Sequence, residues 1–126
     1  MATAATTVTN AGIPLILVNR NVSNADYTCA ITGSNYQIGQ KTAEDMAERL
    51  GGEGKVAMIQ GTLGATDTTD RATGFMETIA NYPGIEVVAD VCGDYNKDKG
   101  MSAMEDVLIT YPDLDAVFCH NDEMAQ

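Results

Sequence analysis

The chain has 126 residues, 44% of them hydrophobic, and carries 18 acidic against 7 basic side chains for a formal charge of -11. Such a length supports one ordinary domain whose core needs neither disulfides nor metals. The acidity excludes nucleic-acid binding by phosphate neutralisation, which requires clustered Lys and Arg, and it disfavours anionic membranes for the same reason.

Residues 1–12, rich in Ala and Thr, read as a helix that stops at Gly12. With neither a basic leader nor a long apolar core, residues 1–10 are not expected to be a signal peptide. Residues 13–18 form a continuous apolar run, the pattern of a strand buried on both faces. A second short strand is expected over residues 27–32, closed by Gly33-Ser34-Asn35. Ser34 or Asn35 can cap a helix over residues 36–50, where Tyr36, Gly39, Ala43, Met46, Ala47 and Leu50 recur at helical spacing and the charged residues fall on the solvated side. A strand over residues 55–60 follows, then a Gly-bearing loop and a helix over residues 69–81 with Ala72, Phe75, Met76, Ile79 and Ala80 inward. That loop matches neither GxGxxG nor a Walker loop, so nucleotide binding is not indicated. Residues 85–92 read as a strand and residues 97–110 as a helix with Met101, Met104, Val107 and Leu108 inward. Residues 116–119 are a last buried strand, and a further helix is expected to begin at Met124. From residue 55 onward strand and helix alternate, the signature of a parallel α/β unit. Cys29, Cys92 and Cys119 lack CxxC spacing, so no zinc site is expected, and each reads as a small buried hydrophobe.

In open α/β sheets ligands bind just beyond the carboxyl ends of the strands, and polar groups sit at those ends here. Asn19-Arg20 offers a fork of donors and an amide acceptor, although an arginine on a surface loop paired with a nearby acid is the more ordinary account of these residues alone. Arg71 stands in the expected first turn of a helix, where a cation opposes the local dipole, so it marks either a functional position or an ion pair with Asp67 or Asp70. Tyr95, in a loop at a strand's end, can stack on the apolar face of a ligand. In Asn121-Asp122-Glu123 the polar groups line the mouth of the last strand, or Asp122 caps the next helix.

Taken together, Asn19-Arg20 after Gly12-Ile13-Pro14, Arg71-Ala72-Thr73-Gly74-Phe75, Gly93-Asp94-Tyr95 and Asn121-Asp122-Glu123-Met124-Ala125 resemble the type I periplasmic sugar-binding proteins of the ribose-binding kind. The resemblance runs from about Gly12 to Gln126. It implies a Rossmann-like α/β fold with a parallel sheet, residues 1–33 being the C-terminal portion of a first lobe and residues 34–126 an incomplete second lobe. In that family two hinged lobes close on one sugar without chemistry, and a transporter permease or a chemoreceptor recognises the closed form. By this resemblance Asn19, Arg20, Arg71, Tyr95 and Asn121 bind a monosaccharide, and Gly33-Ser34-Asn35 is a hinge crossing. The family carries Asp where this chain has Asn19, which removes a charge-assisted acceptor for sugar hydroxyls. A periplasmic or membrane-anchored extracellular site follows, with the signal segment absent from this chain. So does an open sheet edge, which invites an oligomer or a swapped dimer.

No cofactor, metal or catalytic set is called for. Asp122, Glu123 and His120 lack a partnered nucleophile or metal spacing, and His120 reads as a loop residue beside the pocket. The competing reading is the effector-binding domain of a lactose-repressor-type regulator, which shares the fold and much of the pocket.

Overall fold

A computed structural model describes residues 2–19, 22 and 24–126. The order of elements is α1 (Ala2–Asn10), β1 (Ile16–Val18), β2 (Cys29–Ile31), α2 (Asn35–Arg49), β3 (Glu53–Gln60), α3 (Thr66–Ile79), β4 (Gly84–Cys92), α4 (Lys97–Thr110) and β5 (Ala116–Cys119). They divide into two compact units, Met1–Ser34 and Asn35–Gln126.

In the first unit β1 and β2 pair in parallel, Ile16 opposite Cys29 and Val18 opposite Ile31. The expectation of a strand buried on both faces fails here. Leu15 and Leu17 share a hollow with Ala4, Ala5 and Val8 of α1, but Ile16 and Val18 are exposed. A strand of period two shows alternate side chains to opposite faces, and within this unit α1 covers only one of them.

In the second unit three parallel strands lie in the order β4-β3-β5. Val56, Met58 and Phe118 form one core with Ala43, Met46 and Ala47 of α2 and with Phe75 and Ile79 of α3. The two helices approach closely because Gly39 lies against the Arg71 carbonyl and the Phe75 amide, and Gly74 against the Tyr36 carbonyl. A Cβ at either glycine would overlap backbone. The strand pair β3/β4 carries a bulge after Val56, where Val56 opposes Val87 and Ala57 opposes Ala89, so the alternation read over residues 85–92 is interrupted.

Several expectations are corrected. The helix expected at residues 69–81 is Thr66–Ile79, so Arg71 stands in the second turn and the first-turn acid is Asp67. An unfavourable dipole contact therefore does not explain Arg71, because that effect fades beyond the first turn. Met76 of α3 and its C-cap Ala80 are exposed, and on α4, Val107 is buried while Met101 and Leu108 are exposed. Cys29 and Cys92 are exposed and Cys119 is half-buried, because β2 and β4 are edge strands among the described residues and lack a covering neighbour. Residues 122–125 form a turn, closed by the Ala125 amide on the Asp122 carbonyl at 3.2 Å, where a helix was expected.

Candidate functional site

The chain leaves β3 through α3 for β4 on one side and returns through α4 to β5 on the other. The strand order therefore reverses between β3 and β5, and the carboxyl ends of the strands at such a point are where an open α/β sheet presents its ligand site. Gly61 and Thr62 leave β3 there, Asp94 and Tyr95 follow β4, and His120 and Asn121 follow β5. The start of α3 brings Asp67, Thr68 and Arg71 to the same end.

The loop after β4 is held in a costly conformation. Asp94 and Tyr95 have φ of 55° and 54°, a left-handed pair that non-glycine residues seldom adopt and that persists when surroundings enforce it. The Asp94 carboxylate accepts from Thr62 Oγ1 at 2.7 Å and from Lys99 Nζ at 2.5 Å, and those two bonds hold its carboxyl below the usual carboxylate range. Asn96 caps α4, its Oδ1 accepting from the Lys99 amide at 3.0 Å. The Tyr95 ring lies directly against Gly61, where a Cβ would overlap it. Its hydroxyl donates to Asp67 Oδ2 at 2.8 Å and accepts from Thr68 Oγ1 at 3.0 Å. Burial, opposed by the Thr68 bond and reinforced by Asp67, raises the phenol above its ordinary range. Tyr95 is thus a fixed neutral aromatic, anchored by its hydroxyl to its own unit.

His120 lies in the loop directly after β5, and its side chain is buried. Its Nδ1 accepts from the Gly61 amide at 3.3 Å, which assigns the proton of the neutral ring to Nε2, and its ring meets Phe118 at 5.0 Å between centroids. Burial first, then the neighbouring Arg71 charge, pushes its pKa down to about 4, against a smaller opposing effect of Asp67. Arg71 donates from Nε to Asn35 Oδ1 at 2.9 Å and from Nη1 to the His120 carbonyl. Asn121 Oδ1 accepts from the Met124 amide at 3.1 Å, so Asn121, not Asp122, closes the turn with its side chain. Because the oxygen is so occupied, its amide NH2 is the end available as a donor.

Of the residues expected to form the site, Arg71, Tyr95 and Asn121 emerge at this one end of the second sheet. Arg71 is linked to Asn121 through the adjacent His120, and its charge acts on the Tyr95 hydroxyl. Asn19 belongs to the first unit and is exposed, with φ of 65°, its amide on the Ile31 carbonyl at 2.9 Å and its own carbonyl accepting from Thr32 Oγ1 at 3.3 Å. Arg20 lies outside the described residues. Sequence reasoning missed Asn35, Asp67, Thr68 and the inward turn of His120. The Gly-bearing loop before α3 was the one available signal for Asp67 and Thr68, since such loops shape strand-end sites. Among the described residues no group of three or more His, Cys, Asp or Glu could hold a metal ion.

A family model described as periplasmic binding protein domain matches residues 1–126. The ribose import binding protein of Bacillus subtilis (strain 168) is 34% identical over 125 residues, covering 99% of this chain and 40% of that protein. The D-apiose import binding protein of Actinobacillus succinogenes is 32% identical over 116 residues, covering 91% and 37%. Among solved structures, the binding component of the arabinose ABC transporter from Shewanella sp. ANA-3, bound to L-arabinofuranose, superimposes with a TM-score of 0.86 at 34% identity, over 98% of this chain and 42% of that one. The chain spans about 40% of the length of the curated relatives it matches.

Proposed function

This chain belongs to the periplasmic binding protein family, and from that premise we propose that it is part of the solute-binding component of a sugar ABC importer, taking one monosaccharide between two hinged lobes without altering it. Residues 1–33 are then the C-terminal portion of one lobe and residues 34–126 an incomplete second lobe, with the hinge crossing at Gly33-Ser34-Asn35, a reading supported by the division into the units Met1–Ser34 and Asn35–Gln126. The observation that carries this reading is the set of groups at the ends of β3, β4 and β5. A rigidly held guanidinium (Arg71), an amide donor (Asn121) and a fixed aromatic ring (Tyr95) suit the hydroxyls and apolar face of a sugar. Asn19 and Arg20 serve from the first lobe, where Asn19 replaces a carboxylate by a neutral amide. Relatives named for ribose and apiose import and for an arabinose ABC transporter support the class of ligand, and none of these three is named a repressor.

The neighbours of the complete protein are an importer permease or a chemoreceptor, and its place is the periplasm or the outer side of a membrane to which it is anchored. Neither nucleic acid, cofactor nor turnover enters this function. Expressed by itself, the 126-residue chain associates with further copies through the open edges of β4 and β5, since unpaired strand edges template pairing. Sedimentation showing a compact monomer at low concentration would remove that last point.

The test is a thermal-shift screen of pentoses, hexoses and polyols on the full-length protein, since a ligand of the native state raises its melting temperature. In calorimetry with the sugar so found, Arg71→Ala weakens binding by about 1.5–3 kcal/mol, the range for hydrogen bonds to a charged group. Unchanged affinity would show that the pocket is elsewhere.

A further inference from the structure

Arg71 is held from behind, and the residue that holds it is not one expected to touch sugar. Asn35 is the first residue of α2 and the first of the second unit, and it is 8% exposed. The capping position of α2 is Ser34, one residue earlier, so the Asn35 side chain is not committed to its own helix. Its Oδ1 accepts from Arg71 Nε at 2.9 Å. The reach is possible because of the glycine crossing: Gly39 of α2 lies on the Arg71 carbonyl, and Gly74 of α3 on the Tyr36 carbonyl beside Asn35. Helix α2 thus holds residue 71 by its backbone and by its side chain together.

We infer that Asn35 is a positioning residue for the ligand site, orienting the Arg71 guanidinium from the point at which the chain enters the second unit. This deepens the reading of Arg71 given above and rests on it. With Nε on Asn35 and Nη1 on the His120 carbonyl, the planar fork loses its rotational freedom before ligand arrives, and ordering in advance is what lowers the cost of binding. Among the described residues these two bonds leave the Nη2 end for a sugar oxygen. An amide oxygen and a carboxylate oxygen can both accept from Nε, so what the position requires is an acceptor.

The test uses the full-length protein and D-ribose, or the monosaccharide giving the largest thermal shift if that is another. Asn35→Ala lowers affinity about tenfold, from the loss of a bond to a charged group, and Asn35→Asp, which keeps the acceptor, restores most of it. In an Arg71→Ala background Asn35→Ala adds less than about twofold, because coupled residues are not additive. A 15N-edited spectrum of the ligand-free protein shows the Arg71 Nε–H protected from exchange, and Asn35→Ala removes that protection. If Arg71→Ala weakens binding and Asn35→Ala does not, or if Asn35→Ala costs as much without Arg71, this inference fails and the site stands. If Arg71→Ala itself has no effect, the site reading fails first, while the Nε–H signal still reports whether Asn35 holds the guanidinium.

Discussion

The two faces of the β4-β3-β5 sheet are covered unequally. Against α2 and α3, Val56, Met58 and Phe75 are 0% exposed, Phe75 and Phe118 meet at 4.9 Å between ring centroids, and two glycines bring helix backbones into contact. Against α4, Ile59, Met104, Val117 and Cys119 line an open groove of about 390 Å³ together with Met101 and Leu108, which are 56% and 46% exposed. The same hydrophobic composition therefore does different things on each face. Close packing on the first transmits position to Arg71, Asn35 and His120, since densely packed interiors leave side chains little freedom. The looser face meets the site at Met124, which lines the groove and donates its amide to Asn121 Oδ1.

That contrast can be broken or sharpened by substitution, read as urea-unfolding midpoints of the purified chain. Phe75→Ala on the tight face should cost about 4 kcal/mol, the usual loss for a buried Phe with a residual cavity; a loss below 1 kcal/mol would mean the face is not so packed. Gly39→Ala should cost about 2 kcal/mol by overpacking, and in the full-length protein it should also weaken sugar binding, because α3 must move away carrying Arg71. His120 sharpens the comparison through pH. Its folded pKa of about 4 lies below the ordinary 6.5 of the unfolded chain, so between those values the unfolded state binds more protons. Stability is then complete above about pH 6.5 and falls as pH drops towards 4, by about 2 kcal/mol after allowance for solvent screening. His120→Gln should remove that part of the slope, measured by urea unfolding at several pH values against the parent chain. On the loose face, Leu108→Ser should change stability by less than about 0.5 kcal/mol, as ordinary exposed positions do; a cost rivalling that of Phe75→Ala would show the groove closed in solution.

The cysteines illustrate what a linear reading misses. Each lies in an apolar stretch, and the apolar context alone predicted burial, yet Cys29 and Cys92 are exposed because their strands stand at sheet edges. Arg71 teaches the complementary lesson. The residue was singled out for a clash with a helix dipole that is absent, since the helix begins three residues earlier than periodicity suggested. What its position does support is two hydrogen bonds to Asn35 and to the His120 carbonyl, neither of which has a local signature.

The amino-acid pattern alone determined the alternation of strands and helices from residue 55 onward, the parallel class of the sheet, and the fact that polar groups follow each strand. Those depend on spacings of two and 3.6 residues, which side chains express locally. Only the tertiary structure decided which of those polar groups meet, that Asn35 accepts from Arg71 on the neighbouring helix, and that His120 points inward to Gly61. Those choices depend on contacts between segments far apart in the chain, and whether a side chain finds a partner there is settled by the close approach of helices at Gly39 and Gly74, not by its neighbours in sequence.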